Sequence, residues 1–164
     1  MSTAIAGVTG EAPVVAIENV RPLEKELYKK VWDMPEYRKD SPGEKIYHEF
    51  LAQAKPKAGS SVIDFGCGTG RGGLNLAFFG NMDVTMVDFA ANCLDADIVP
   101  MLETQKHALR FVEADLSEPL PVKAAYGFCT DVMEHIRPHL VDKVISNCLS
   151  AAQHVFFQIS TVDD

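Results

Sequence analysis

Three carboxylates and a run of glycines stand where they could bind a nucleoside. Asp64 lies in a short apolar stretch, Val62–Phe65, and glycines follow at alternate positions, Gly66, Gly68 and Gly70. Such a turn lets a ligand lie against bare backbone, and the N–H groups of a following helix start can face an electron-rich group. Asp88 closes a second apolar stretch, 24 positions beyond Asp64. An acid at the end of the second strand of a βαβ unit can accept both hydroxyls of a ribose. Its plainer role is to cap the helix that follows, and one residue can do both. Asp115 closes a third apolar stretch, and Asp131, Glu134 and His135 cluster after a fourth.

These residues need strands and helices to position them. Val62–Phe65, Asp83–Asp88, Leu109–Asp115, Tyr126–Thr130 and His154–Ser160 read as five strands. Leu74, Leu76 and Phe78–Phe79 suggest a helix after the glycine turn. A further helix is expected over Ala91–Glu103, disturbed at Pro100. Pro138 should open another, whose Leu140, Val141, Val144, Ile145, Cys148 and Leu149 form an apolar face. Two helices precede the first strand. One begins near Pro22 and ends before Pro35, with Leu23, Leu27, Val31 and Trp32 at helical spacing. In the other, Ser41, Pro42 and Glu44 read as N-cap, N1 proline and capping-box acid, and the helix stops before Pro56. Residues 1–20 show no clear period, with at most a short extended piece at Val14–Ile17. Strands alternating with helices predict an α/β fold.

The run Gly68-Thr-Gly70-Arg-Gly-Gly73 matches the dinucleotide fingerprint G-x-G-x-x-G literally. Its register is wrong, because the glycine nearest the strand is Gly66, and the pattern started there meets Arg71. The whole, Asp64-x-Gly66-x-Gly68-x-Gly70, instead resembles motif I of the class I S-adenosylmethionine (SAM) methyltransferases. The resemblance implies a three-layer α/β/α Rossmann-like fold with a parallel sheet in the order 3-2-1-4-5. It places Asp64, Gly66, Cys67, Gly68 and Gly70 around the methionine part of SAM, and Asp88 on the ribose. Phe89 would touch the adenine, and Asp115 and Leu116 would clamp it. Thr130 and Arg38 complete the expected cofactor-binding set, and Tyr28, Trp32, Tyr37 and Arg38 are candidates to line the site from a helical lid over residues 22–57. Read singly, each of these four fits ordinary core or surface packing as well.

The exit Thr130-Asp-Val-Met-Glu-His-Ile136 resembles that of small-molecule methyltransferases, although Ala125-Tyr126 departs from the family's usual Phe-Asp pair. His135 is the nearest candidate general base for an acceptor that arrives protonated. No metal is expected. The spacing of Asp131, Glu134 and His135 also matches the ion-holding set of ubiquinone-type O-methyltransferases, which would suit magnesium. The resemblance implies transfer of a methyl group from SAM to a small-molecule acceptor, leaving S-adenosylhomocysteine. Two rivals are a SAM-binding module without catalysis and a nicotinamide-dependent oxidoreductase.

Formal net charge is −8, distributed as −2 over residues 1–20, +2 over 21–57 and −8 over 58–164. The acidic body argues against nucleic acid, which needs a basic face. The basic balance of the lid reads as a solvated helix face, with room for a small anionic group. The four cysteines lack C-x-x-C spacing and read as reduced thiols of a cytoplasmic protein. No signal peptide or apolar run long enough for a membrane span is visible. The division expected is a flexible arm over 1–21, the lid over 22–57 and the SAM-binding core over 58–164. The family sheet has seven strands ordered 3-2-1-4-5-7-6, so strands six and seven are missing here. A cut form of a longer chain is the expectation, with His154–Ser160 as an apolar edge open to self-association.

Overall fold

The computed structural model describes residues 21–103 and 108–161. The expected arm, with its extended piece at Val14–Ile17, lies outside them except for Arg21. Ten elements follow in chain order: α1 (Arg21–Trp32), α2 (Pro42–Ala54), β1 (Ser61–Phe65), α3 (Arg71–Phe78), β2 (Asp83–Asp88), α4 (Val99–Glu103), β3 (Leu109–Glu113), β4 (Ala124–Thr130), α5 (Val141–Ala151) and β5 (Ala152–Gln158). The strands form one sheet in the order β3-β2-β1-β4-β5, and every neighbouring pair is parallel. This is the predicted order. Strand order reverses beside β1, which pairs with β2 on one side and β4 on the other. The carboxyl ends at such a switch point diverge and leave a crevice.

Alternation along the strands sorts side chains onto two faces. Val62, Val84, Met86, Phe128 and Phe156 pack with Phe50 of α2 and Leu76 of α3. Ile63, Phe65, Val87, Cys129 and Phe157 pack with Val144 and Cys148 of α5. The central strands are buried on both faces, which is why they read as nearly continuous apolar runs. Gly127 of β4 shows how tightly the second face closes. A Cβ there would lie 2.5 Å from Cε2 of Phe65 and 3.1 Å from a methyl of Val155. No described helix is long and apolar enough to cross a membrane.

Three local expectations are corrected. Ala91–Glu103 is not one helix: a 3-10 turn at Ala91–Cys93 is followed by α4, which begins only at Val99. Pro100 therefore falls in the first turn of α4, where its missing N–H leaves no intrahelical bond unmade. The capping box at Ser41 does not form. Ser41 Oγ accepts from Thr69 Oγ at 3.0 Å, and the Glu44 carboxylate turns to Arg71. Finally, β5 starts at Ala152 rather than His154, because Ala152 both ends α5 and begins the strand with no loop between them.

Candidate functional site

Two adjoining cavities open at the carboxyl ends of β1, β2 and β4. The backbone builds their floor. Gly66 and Gly68 have φ of +67° and +50°, the left-handed region where a side chain is strained. This bend brings the Gly66 and Cys67 N–H groups to Val87 O at 2.8 and 3.1 Å, tying the glycine turn to the end of β2. Asp88, the next residue, is 6% exposed. Its carboxylate accepts from Gly68 N–H at 3.2 Å and from Ala90 N–H at 3.0 Å. Asp88 thus fixes both the glycine turn and the turn after β2.

The first cavity is bordered by Asp88, Phe89, Asp115, Leu116 and Tyr28. The second is bordered by Asp64, Cys67, Gly68, Thr69 and Thr130. Trp32, Tyr37, Gly66, Asp131 and His135 line both and so stand at their junction. Gly70 and Arg38 border neither cavity. Gly70 faces Leu94, Ile98 and Met86 in the core.

Arg38 is engaged by the protein itself. Its guanidinium donates to the carbonyls of Trp32, Asn92, Cys93 and Leu94 and pairs with Asp95. Arg71 completes this knot, donating to Asp95 Oδ2 at 2.7 Å and to Arg38 O at 2.9 Å. The two arginines tie the helical segment before β1 to the loop after β2. Apart from Trp32, these partners lie 24 to 57 positions apart, and no short-range signal in the sequence marks them.

From the same segment α1 lays its aromatic residues over the cleft. Tyr28 meets Phe89 edge-on at 5.2 Å between ring centroids, and Trp32 meets Tyr37 at 4.9 Å. The Trp32 ring lies against Gly68, so close that a Cβ on Gly68 would sit 2.9 Å from it. Glu24 pairs with Arg137, Lys25 with Glu113, and Asn92 Nδ2 donates to Lys29 O at 2.8 Å.

Burial sets the protonation of the site. Asp64 is 3% exposed, and its carboxyl is pushed up to about 7 by desolvation first and the nearby Asp88 second, opposed by a hydrogen bond from Gly73 N–H. Asp88 is raised by desolvation, against the hydrogen bonds it accepts. Burial raises Tyr28, helped by Glu24 and Asp88, and raises Tyr37, helped by Tyr28, Asp131 and Asp88. Both phenols therefore stay protonated at neutral pH and can donate.

Asp131 sits at the exit of β4 with φ of +56°, an unusual conformation for a residue with a side chain. His135 closes the short turn Met133–His135 and reaches the junction. Glu134 points elsewhere: its Oε1 accepts from Ser160 N–H at 2.7 Å. Among the described residues the ligand atoms of Asp131, Glu134 and His135 do not gather within reach of one ion. One oxygen of Glu134 is thus held by the chain beyond β5, while Oε2 is buried with no hydrogen-bond partner.

A doubly wound parallel sheet with a glycine turn at its switch point and a buried acid at the end of β2 define a Rossmann-like α/β protein. A family model described as a methyltransferase domain matches residues 62–154, and the chain belongs to that family. No curated protein matches it. Among solved structures it is similar to Haemonchus contortus phosphoethanolamine N-methyltransferase 2 in complex with S-adenosyl-L-methionine, at 27% identity and a TM-score of 0.55, over 66% of this chain and 25% of that one. It is also similar to Burkholderia thailandensis 1,6-didemethyltoxoflavin-N1-methyltransferase, at 16% identity and a TM-score of 0.72, over 94% of this chain and 68% of that one. Synechocystis magnesium protoporphyrin IX methyltransferase matches at 20% identity and a TM-score of 0.53, over 87% of this chain and 62% of that one. The last two likenesses concern the fold. The chain spans about a quarter of the length of the Haemonchus enzyme.

Proposed function

We propose that the chain is a class I SAM-dependent methyltransferase domain acting on a small-molecule acceptor. The observation that carries this reading is Asp88, which borders the same cleft as the glycine turn and aims a buried carboxylate into it. A carboxylate offers about four acceptor positions. The N–H groups of Gly68 and Ala90 take two and that of Phe89 also acts on the carboxylate, and the remaining lone pairs can face the hydroxyls of a ribose. The residues fit the cofactor elsewhere too. Phe89 and Leu116 offer apolar contact to an adenine, and Asp115 an acceptor for its amine. Asp64 and Thr130 beside the bare turn suit the charged methionine part.

When bound, SAM supplies an activated methyl group on a sulfonium. The protein's part is mainly alignment and exclusion of water. Trp32, Tyr37, Asp131 and His135 surround the junction of the two cavities, where an acceptor would meet the methyl group. The Tyr37 hydroxyl can orient an acceptor by donating to it. His135 can take the proton from an acceptor that arrives protonated. The relatives named above bind SAM or S-adenosylhomocysteine in their crystal structures, which supports the cofactor and does not choose the acceptor.

The test is direct. S-adenosylhomocysteine should bind the folded chain with a calorimetric stoichiometry near one, and NADH should not. Formation of S-adenosylhomocysteine from SAM is then measured across hydroxyl, amine and carbon acceptors. A folded chain that binds neither SAM nor S-adenosylhomocysteine overturns the reading.

A further inference from the structure

The wall between the glycine turn and the loop after β2 carries a second grouping. Sγ of Cys67, Sγ of Cys93 and a carboxylate oxygen of Asp88 all lie within 4.8 Å of one another. All three residues are buried, at 8%, 0% and 6% exposure. We propose that Cys67, Cys93 and Asp88 form a site for one thiophilic divalent cation of the zinc class, whose occupancy excludes a nucleoside from Asp88.

Geometry supports it first. With no pair of atoms more than 4.8 Å apart, some point lies within about 2.8 Å of all three. Zinc bonds sulfur at ~2.3 Å and carboxylate oxygen at ~2.1 Å, so small side-chain rotations close the shell. The backbone is already fixed: Cys67 N–H donates to Val87 O at 3.1 Å and Cys93 N–H to Ala90 O at 3.0 Å. The Gly68 and Ala90 N–H groups each hold one oxygen of the carboxylate, as outer partners orient a metal ligand. Chemistry supports it next. Two sulfurs select zinc or cadmium over magnesium and calcium. On binding, the two thiols give up their protons to solvent, and two thiolates and a carboxylate then face the doubly charged ion. Cys67 borders one cavity and Asp88 the other, and a water from the cleft would supply the fourth ligand. The other two cysteines, Cys129 and Cys148, lie on the opposite face of the sheet. No such grouping includes them among the described residues.

The experiment uses the full chain, reduced and stripped of metal, titrated with cadmium. The reading is the sulfur-to-cadmium charge-transfer band in the ultraviolet. One equivalent should bind and give the band. Cys93→Ser should lose at least half of it and bind at least tenfold more weakly, and Cys148→Ser should keep both. Circular dichroism checks each fold, and Cys67→Ala replaces Cys93→Ser if that variant does not fold. A folded, reduced wild-type chain without the band overturns the site. So does a wild-type band in folded Cys93→Ser or Cys67→Ala, or its loss in folded Cys148→Ser. A second arm rests on the cofactor reading above. Zinc at ten times its dissociation constant should weaken S-adenosylhomocysteine binding about tenfold if the two exclude each other. Unchanged affinity overturns the exclusion. Failure of S-adenosylhomocysteine to bind the metal-free chain strikes the cofactor reading alone, and the cadmium band still decides the site.

Discussion

Replacing Asp88 with alanine should move two quantities at once. The carboxylate holds Gly68 N–H at 3.2 Å and Ala90 N–H at 3.0 Å inside a wall that is 6% exposed. Alanine leaves both donors without their partner, at about 1–3 kcal/mol for each buried donor. Gly68 borders the cavity, where water can replace part of the loss. A net destabilisation of about 1–3 kcal/mol is expected, read as a lower melting temperature. Cofactor affinity should fall separately. Two charge-assisted bonds to ribose hydroxyls contribute about 1.5–3 kcal/mol each. With water entering the gap, a net loss of about 2–4 kcal/mol corresponds to roughly 30- to 1,000-fold weaker S-adenosylhomocysteine. Asp88→Asn should not be silent in stability, as it would be at a simple helix cap. Both oxygens face backbone donors, so the amide must aim its NH2 group at one of them. Thermal melts and calorimetric titration of both variants give the answer. A folded Asp88→Ala chain with S-adenosylhomocysteine affinity within threefold of wild type would refute the ribose assignment.

Five further outcomes are expected. Asp64 has a folded-state pKa of about 7, above its ordinary value of 3.8. Its contribution to stability is therefore complete below pH ~4 and is lost as pH rises through about 7. Denaturant melts of Asp64→Asn should lack that part of the decline, and an equal slope in both proteins would count against it. The cationic amino group of S-adenosylhomocysteine near Asp64 should release protons at pH 6, up to one per site, seen by calorimetry in buffers of different ionisation enthalpy. Trp32, the single tryptophan of the sequence, lies on Gly68, so its fluorescence should change on ligand binding and saturate with it. Arg38→Lys should melt nearly as early as Arg38→Ala, about 1–3 kcal/mol below wild type, because one ammonium cannot serve the carbonyls of Trp32, Asn92, Cys93 and Leu94 together. Gly127→Ala should cost about 1–3 kcal/mol by pressing on Phe65, with ligand affinity unchanged.

The sheet was legible because each strand is a short apolar run bounded by turn residues, and the glycine turn because its spacing is local. Asp88 could be placed by counting from Asp64, since strand and helix lengths in a βαβ unit vary little. Residues whose roles depend on distant partners were not legible. Arg38 has the charge of a ligand-binding group, yet its partners are carbonyls that only the folded loop presents. Arg71 looked like a broken fingerprint and is a cross-tie. Ser41 has the sequence of a capping box, but Thr69, 28 positions away, accounts for its hydroxyl. Glu134 and His135 are adjacent in sequence and face different parts of the structure. Cys67 and Cys93 show no motif spacing, and the turn after β2 brings them together.

The ties of α1 bear on kinetics. Glu24 to Arg137, Lys25 to Glu113 and Asn92 to the Lys29 carbonyl fasten one helix to the end of β3 and to two connecting segments around the cleft. A nucleoside bound beneath Tyr28 and Trp32 would depart more readily once some of these ties open. Its residence time would then depend on the latch as well as on its own contacts. Two of the ties are ion pairs reaching the surface, which salt screens. Dissociation should therefore quicken as ionic strength rises, and turnover under saturating acceptor should be paced by product escape.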